Sequence, residues 1–179
     1  MMANYSVFNQ IENPLYTQQV NTYIAPGIDS TPEGAASKAG VLFGVNFAST
    51  VTTTAPLVLQ VTNPLGSGKN MYISRVAGSA AAAAVILTII KNGTVSGTVV
   101  TKVNLNFGSA TVSVMTAQSA TTAITGTPVT VASMLLSAGP FLINYTGSII
   151  VPPNNSLTVS ATISSGTSAS TASINWWEY

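Results

Sequence analysis

Residues 148–162 read SIIVPPNNSLTVSAT, and this stretch decides how the chain is expected to fold. The prolines at 152–153 end one β-branched run, because proline cannot donate a ladder hydrogen bond, and Asn154-Asn155 supplies a turn. In the next run the apolar residues Leu157, Val159 and Ala161 are expected to face inward. The hydroxyl residues that alternate with them, Thr158, Ser160 and Thr162, are expected to face solvent. Such a strand is typical of a two-layer antiparallel sandwich.

Runs of the same kind recur along the chain and are separated by turn signals. They cover residues 41–48, 56–62, 71–77, 84–91, 96–105, 110–117, 128–136, 140–145, 147–152, 156–164 and 172–179. Short strands spaced by turn signals every 8–12 residues or so favour a sandwich or barrel over an α/β fold. The sequence therefore predicts an all-β, antiparallel β-sandwich.

The segment VTNPLGSGKNMYISRV (61–76) contains a GSGK that resembles part of a phosphate-binding loop. That loop requires G-x-x-x-x-G-K-[ST] ahead of a helix. Here Asn63 replaces the first Gly, Asn70 follows Lys69, and a strand-like run comes next. The segment is instead expected to be a hairpin with a longer loop.

Two other segments carry local signals. KNGT (91–94) predicts a hairpin, because Asn92-Gly93 suits a two-residue turn with positive φ at both positions. AGSAAAAA (77–84) is rich in Ala, the best helix former, yet strand-like runs flank it. We interpret it as a small-residue loop or strand, with a helical turn as the alternative.

The first 39 residues differ from the rest and are predicted to form an extended N-terminal arm, followed by a sandwich domain over 40–179. They hold three of the four carboxylates of the chain: Glu12, Asp29 and Glu33. Thr31-Pro32-Glu33 starts a helix, while Lys38 and Gly40 end it. We expect a helix of one to two turns at about 32–38, hinging the arm to the body.

Charge is scarce. Charged residues make up 5% of the chain, the net charge is +1, and no Asp, Glu, Lys or Arg occurs from Val103 to Trp177. Nucleic-acid binding depends on clustered Lys and Arg, so a nucleic-acid partner is not expected. A net charge near zero favours self-association.

Neither a signal peptide nor a membrane-spanning segment is expected. The N-terminus lacks a basic region followed by an apolar one, so no signal peptide is expected. No apolar run approaches the roughly 20 residues that span a bilayer, so no membrane insertion is expected. We therefore expect cytoplasmic synthesis without a signal peptide, followed by an extracellular or surface location or a place in a virion.

The chain offers little for catalysis. It contains no His and no Cys, and the closest acids, Asp29 and Glu33, lie in the expected hinge, where capping explains them. No enzyme activity, cofactor or metal is predicted. Trp176-Trp177 could form an aromatic sugar platform, but neighbours in a strand point to opposite faces. One Trp is therefore expected in the core and the other at a subunit contact. The alternation does not say which is which, and Trp177 is assigned to the contact.

The body resembles small jelly-roll structural subunits of Bacillota and their phages. The resemblance rests on VTNPLGSGKNMYISRV, the KNGT segment, GSIIVPPNNSLTVSA and the terminal INWWEY, and covers residues 40–179 or so. Such subunits polymerise into endospore-appendage-type filaments or decorate virions as head or tail auxiliary proteins. Appendage subunits carry cross-linking cysteines in a short N-terminal connector, whereas this chain has no cysteine and a longer arm.

The resemblance implies a jelly roll whose copies join through an N-terminal arm laid into a neighbour. The expected function is a non-enzymatic subunit that self-assembles into an extracellular filament or appendage by arm exchange and sheet-to-sheet contacts. The alternatives are a virion decoration, head-fibre or tail auxiliary protein and a carbohydrate-binding or adhesive module, so a glycan or host surface is a further partner to consider. The residues expected at the assembly interface are Tyr5, Val7, Phe8, Ile11, Val20, Tyr23, Ile24 and Trp177.

The scarcity of charge generates a prediction about salt. Raising NaCl from about 0.05 to 1 M shortens the Debye length from roughly 14 to 3 Å, which screens exposed ion pairs. With so few charges to screen, assemblies of the protein are expected to persist, as measured by sedimentation and electron microscopy. Dissolution in 1 M NaCl or so would show that ion pairs hold the copies together.

Overall fold

The computed structural model describes residues 31–179 except 83, together with the backbone of Asn9–Gln10 and Asn13–Pro14. One short helix, α1 (Pro32–Lys38), precedes the sheets. The strands are β1 (Asn9–Gln10), β2 (Asn13–Pro14), β3 (Leu42–Thr52), β4 (Leu57–Asn63), β5 (Met71–Ala80), β6 (Val85–Lys91), β7 (Thr98–Val99), β8 (Val103–Asn104), β9 (Thr116–Ala120), β10 (Val129–Leu136), β11 (Gly139–Val151), β12 (Asn155–Thr162) and β13 (Thr167–Glu178).

Two antiparallel sheets pack face to face. One has six strands in the order β10-β6-β12-β4-β9-β7, and the other has five in the order β11-β5-β13-β3-β8. Leaving out β7, β8 and β9, the remaining eight strands form two four-stranded sheets, β10-β6-β12-β4 and β11-β5-β13-β3. Consecutive strands alternate between the two sheets except for β6 and β10, which pair with each other. This is the strand order of a jelly roll. The predicted all-β sandwich is confirmed.

The core lies between the sheets and is apolar, as the alternation of the strands predicts. Trp176 and Phe43 are buried at its centre with ring centroids 6.2 Å apart. Trp176 is thus the core Trp of the pair. Fully buried aliphatic side chains from both sheets complete this layer, among them Leu57, Leu59, Ile73, Leu87, Ile89 and Ile174.

Helix α1 has the predicted bounds and caps. The Thr31 hydroxyl accepts a hydrogen bond from the Gly34 amide at 3.2 Å, Glu33 lies in the first turn and Lys38 in the last. Gly40 has a φ of +69°, a backbone conformation that ends helices. The helix lies against β3 and β11, and Ala36 is buried. The predicted arm ahead of it lies almost entirely outside the described residues, so the boundary at 39/40 stays a prediction.

The hairpin expected over 61–76 is wrong. Both strands form, but β4 belongs to the six-stranded sheet and β5 to the five-stranded sheet. The connection over 64–70 crosses the sandwich as an arch. Asn63, whose side chain is fully buried, stabilises it by donating hydrogen bonds to the Lys69 carbonyl at 2.8 Å and the Val151 carbonyl at 2.9 Å.

The KNGT hairpin is also wrong, although the turn itself is confirmed. Asn92 and Gly93 have φ values of 60° and 88°, as expected. The strand before them, β6, pairs with β10 and β12, while Thr94 beyond them pairs with Thr125. Asn92 instead exchanges hydrogen bonds with the backbone of Ser156 on β12. The turn therefore redirects the chain out of the sheet.

The outward hydroxyls of β12 differ from expectation as well. Thr162 is exposed, but Thr158 and Ser160 are buried. Residues 93–97 and 121–125 fold over this part of the outer face, where Val95 and Ile124 pack on Val58 and Ala120. The Gln60 amide donates to Thr158 at 2.8 Å and to the Gly93 carbonyl at 3.1 Å, which satisfies the polar groups beneath this cover.

Three other segments refine the predicted strands. The Ala-rich segment continues β5 to Ala80 and then leaves the sheet, without a helical turn among its described residues. Residues 140–145 and 147–152 form the single strand β11. In the predicted runs 96–105 and 110–117, only β7, β8 and the start of β9 pair with other strands. The rest of this segment connects the two sheets.

One end of the core is polar and contains a buried acid, Glu178, which is 1% exposed. Its carboxylate accepts hydrogen bonds from the Trp176 indole at 3.0 Å, from the Val114 amide at 3.1 Å and from the Ser113 hydroxyl. The Lys69 ammonium lies 4.0 Å away. Glu178 therefore fixes residues 113–114, which lie outside any strand, to the end of β13.

Removing this carboxylate is predicted to destabilise the fold. Glu178→Ala leaves several buried donors unpaired and should lower the free energy of unfolding by about 3 kcal/mol or more. Glu33→Ala is the matched control, since Glu33 contributes only about 0.3–1 kcal/mol at the helix terminus. Urea unfolding of both variants measures the difference, and equal losses would contradict the assigned role of Glu178.

Candidate assembly interface

Strands β10 and β11 lie at one edge of the sandwich, and the outer side of each is unpaired among the described residues. We call these two strands together the open edge. Each is the last strand of its sheet, and only residues 137–138 separate them in the chain. Each pairs on one side only, β10 with β6 and β11 with β5, among the described residues. The outer backbone N–H and C=O groups of both strands therefore have no strand partner there.

The side chains of the open edge are apolar on the inner face, and the outer face mixes apolar side chains with hydroxyl and amide groups. The inward-facing residues are only partly buried, although they pack on the core: Ala132, Met134, Leu136, Phe141, Ile143, Tyr145 and Ile149. Five others are 53–77% exposed: Val129, Val131, Leu135, Leu142 and Ile150. The core is thus incompletely covered on this side, in contrast to strand β4, which is almost completely buried.

Native proteins usually protect sheet edges with charges, prolines, bulges or covering loops. The open edge has no charged residue. It does have one bulge in β10 between Thr130 and Ala132, and a larger one in β11 between Asn144 and Ile149. From Gly139 to Asn144 the pairing with β5 is regular, but Pro140 has no backbone N–H and protects the start of the strand. The stretch from Phe141 to Asn144 is therefore the part suited to accept an added strand.

Tyr145 lies in the bulge of β11 and points toward the core. Burial raises the pKa of its phenol above the ordinary value of 10.0. The phenol is therefore neutral at physiological pH, and the open edge contributes no charge that would repel an apolar segment.

The opposite edge is closed. Strand β7 pairs with β9 in the six-stranded sheet, and β8, four residues further on, pairs with β3 in the five-stranded sheet. The chain between them crosses the gap, with Val100 packed on the core. The Lys102 ammonium donates to the carbonyls of Met115 and Ser113, which fixes the crossing in place. The two edges of the sandwich are thus not equivalent.

A cleft of about 160 Å³ lies at one end of the open edge. Its apolar lining includes Val131, Ile149, Pro152 and Leu157, and the exposed Lys91 also lines it. We call it the Lys91 cleft. An apolar cleft beside a lone ammonium group suits an apolar side chain next to a carboxylate.

A second groove, of about 230 Å³, lies on the outer face of the five-stranded sheet. Hydroxyl and amide side chains line it, including Asn46, Thr101, Ser173 and Asn175. Its apolar lining is aliphatic, from Val45, Val103 and Leu105. The groove therefore lacks an aromatic ring on which a sugar would stack.

Trp177 is the one predicted interface residue that the structure describes. It is half-buried and stacks on Tyr72, with ring centroids 5.6 Å apart and planes 4° apart. The bulge of β11 covers it: Gly147 has a φ of +87°, and a Cβ there would lie 2.6 Å from the Trp177 ring. Much of the ring is thus used within the subunit, and its contact with a neighbour stays a prediction.

The other predicted interface residues lie outside the described part of the chain or have side chains that the structure does not describe: Tyr5, Val7, Phe8, Ile11, Val20, Tyr23 and Ile24. Their place at an interface with Trp177 therefore stays a prediction. Sequence reasoning missed the open edge. The signal was present in residues 128–136, where apolar residues occupy both sets of alternate positions: Val129, Val131 and Leu135 in one set, and Ala132, Met134 and Leu136 in the other.

Two further properties bear on function. Among the described residues there is no group of three or more His, Cys, Asp or Glu side chains placed to hold a metal ion. In the same part of the chain, no helix has the length and apolar character needed to cross a membrane.

Comparisons of the chain with protein-family models, with curated protein sequences and with solved structures each gave no match. Function is therefore inferred from the residues and their geometry.

Proposed function

We propose that this protein is a non-enzymatic structural subunit that self-assembles into an extracellular filament or appendage. Copies join when the N-terminal arm of one subunit adds to the open edge of the next, with sheet-to-sheet contacts in support. The observation that carries the proposal is the open edge itself, which combines unpaired backbone groups, half-covered core residues and a complete lack of charge.

The physical basis is burial together with backbone pairing. An isolated subunit leaves Met134, Leu136, Phe141 and Ile143 partly exposed to water. An added strand would cover them and satisfy the outer backbone of β11. Each arm side chain that passes from full exposure to full burial contributes about 1.5–3 kcal/mol. Together with the backbone pairing, several such anchors offset the cost of ordering the paired part of the arm.

The arm has the length and composition for this role. Thirty residues precede Thr31, and an extended chain spans up to about 3.3–3.6 Å per residue, so the arm can reach a neighbouring subunit. It offers aromatic and branched apolar anchors at Tyr5, Phe8, Val20 and Ile24.

The asymmetry of the two edges favours an open polymer. An interface that joins an arm to an edge is heterologous, since two different surfaces meet. Heterologous contacts form rings when the rotation closes and filaments when it does not. Because the edge at β7 and β8 is closed by its own chain, growth is expected through β10 and β11 alone.

Deleting residues 1–30 tests the arm. The sandwich should stay folded, because every core residue in the described part of the chain lies later than residue 30. Polymers should disappear, because every junction loses its inserted strand. Thermal denaturation and negative-stain microscopy measure the two effects. Normal polymers from the truncated chain would remove the arm from the mechanism, and virion-like shells from the full chain would favour the phage alternative.

A charge on the open edge tests the acceptor. Leu142, which is 58% exposed on β11, is replaced by Lys, and Leu65, which is 80% exposed in the loop over 64–70, is the matched control. Leu142→Lys should abolish polymers without changing the melting temperature, because lysine on an edge strand opposes strand addition. Leu65→Lys should polymerise normally. Equal effects on polymer mass, measured by sedimentation, would show that the edge has no special role.

A further inference from the structure

The Lys91 cleft has a property that separates it from the rest of the open edge. In it an ammonium group borders an apolar cleft, whereas Arg75, the other cation beside β11, lies on β5 opposite Asn144 and contacts the Asn175 amide. Lys91 ends β6, and its neighbours across the cleft, Ile149 and Leu157, are apolar. Asn155 and Ser156 supply the remaining polar lining, and neither is charged.

The ammonium group of Lys91 is not paired within the described part of the subunit. There the one ion pair within 4.0 Å joins Lys69 to Glu178. Lys102 is also engaged, since it donates to two carbonyl oxygens, and Arg75 donates to the Asn175 amide oxygen. A cation beside an apolar cleft favours a ligand that presents an apolar group followed by a carboxylate.

The chain itself contains such a ligand. Three acids precede or begin helix α1: Glu12, Asp29 and Glu33. Glu33 lies in the first turn of α1, and Asp29 is only two residues from the helix cap, so both stay near their own body. Glu12 lies nineteen residues before Thr31, a contour of at most roughly 65 Å. It follows Ile11 in the connection between β1 and β2, which pair with each other, so the opposite-face rule for neighbours in a strand does not apply to these two residues.

We propose that the Lys91 cleft is the docking site for the Ile11-Glu12 segment of a second copy of this chain, with Ile11 in the apolar cleft and the Glu12 carboxylate on the Lys91 ammonium. This inference rests on the proposed function and deepens it. The apolar anchors of the arm supply affinity, whereas the ion pair sets the register of the arm on the open edge, as charge pairs commonly do at interfaces.

This contact is consistent with assembly that persists in salt. An ion pair that is partly buried in an apolar cleft is screened less than an exposed one. Juxtaposing two like charges in the same place, in contrast, opposes docking strongly.

Charge reversal in the full-length chain tests the docking site. Lys91→Glu and Glu12→Lys should each raise the subunit concentration required for polymers by about tenfold or more. An equimolar mixture of the two variants should polymerise at close to the original concentration, because each arm then meets a cleft of opposite charge. Lys38→Glu, on the exposed end of α1, and Asp29→Lys make the same charge changes elsewhere and should leave polymerisation unchanged.

The mixture is the decisive sample. Rescue by mixing cannot arise from a folding defect in either variant, and it requires that the arm of one copy reach the cleft of another. If either single variant polymerises like the original chain, or if the mixture is no better than its components, the docking site is wrong. Loss of polymers on deleting residues 1–30, with no effect of the reversals, would overturn this inference alone and leave arm exchange in place.

Discussion

The structure depends on one constraint: a two-layer sandwich must cover its apolar interior at both edges as well as between its sheets. In this jelly roll the chain from β7 to β8 crosses the gap and closes one edge. At the other edge, β10 and β11 lie in opposite sheets, and their inner side chains remain half-exposed. The subunit is thus complete on one side and incomplete on the other, and the proposed polymer follows from that asymmetry.

The sequence predicts where the strands lie better than how they pair. Period-two alternation and turn residues mark single strands, and the turns at Asn92-Gly93 and Asn154 have the positive φ that their residue types suggest. Pairing is decided by burial across the whole domain. A loop such as 64–70 is compatible with either a hairpin or an arch. The buried Asn63 stabilises the arch by donating to the carbonyls of Lys69 and Val151, and the contact with Val151, 88 residues away, cannot be predicted from the local sequence.

The same limit applies to the surface of the sheets and to the candidate site. Thr158 and Ser160 were expected to face solvent, but residues 93–97 and 121–125 cover them. The local sequence around β12 gives no sign of this cover. The arm stands out in sequence because it holds most of the acids of the chain. The open edge stands out less. Apolar residues occupy both sets of alternate positions in residues 128–136, but they do so in the central strand β4 as well, and only the strand order identifies β10 and β11 as last.

The central claim is that a second chain pairs with the outer edge of β11, and backbone amide exchange tests it most directly. Hydrogen–deuterium exchange is compared between polymers and the chain lacking residues 1–30, with the central strands β4 and β12 as internal references. Slower exchange in the polymers over residues 141–144, with little change in β4 and β12, is the predicted result. Equal exchange at β11 in both samples, with protection appearing elsewhere on the subunit, would contradict the account.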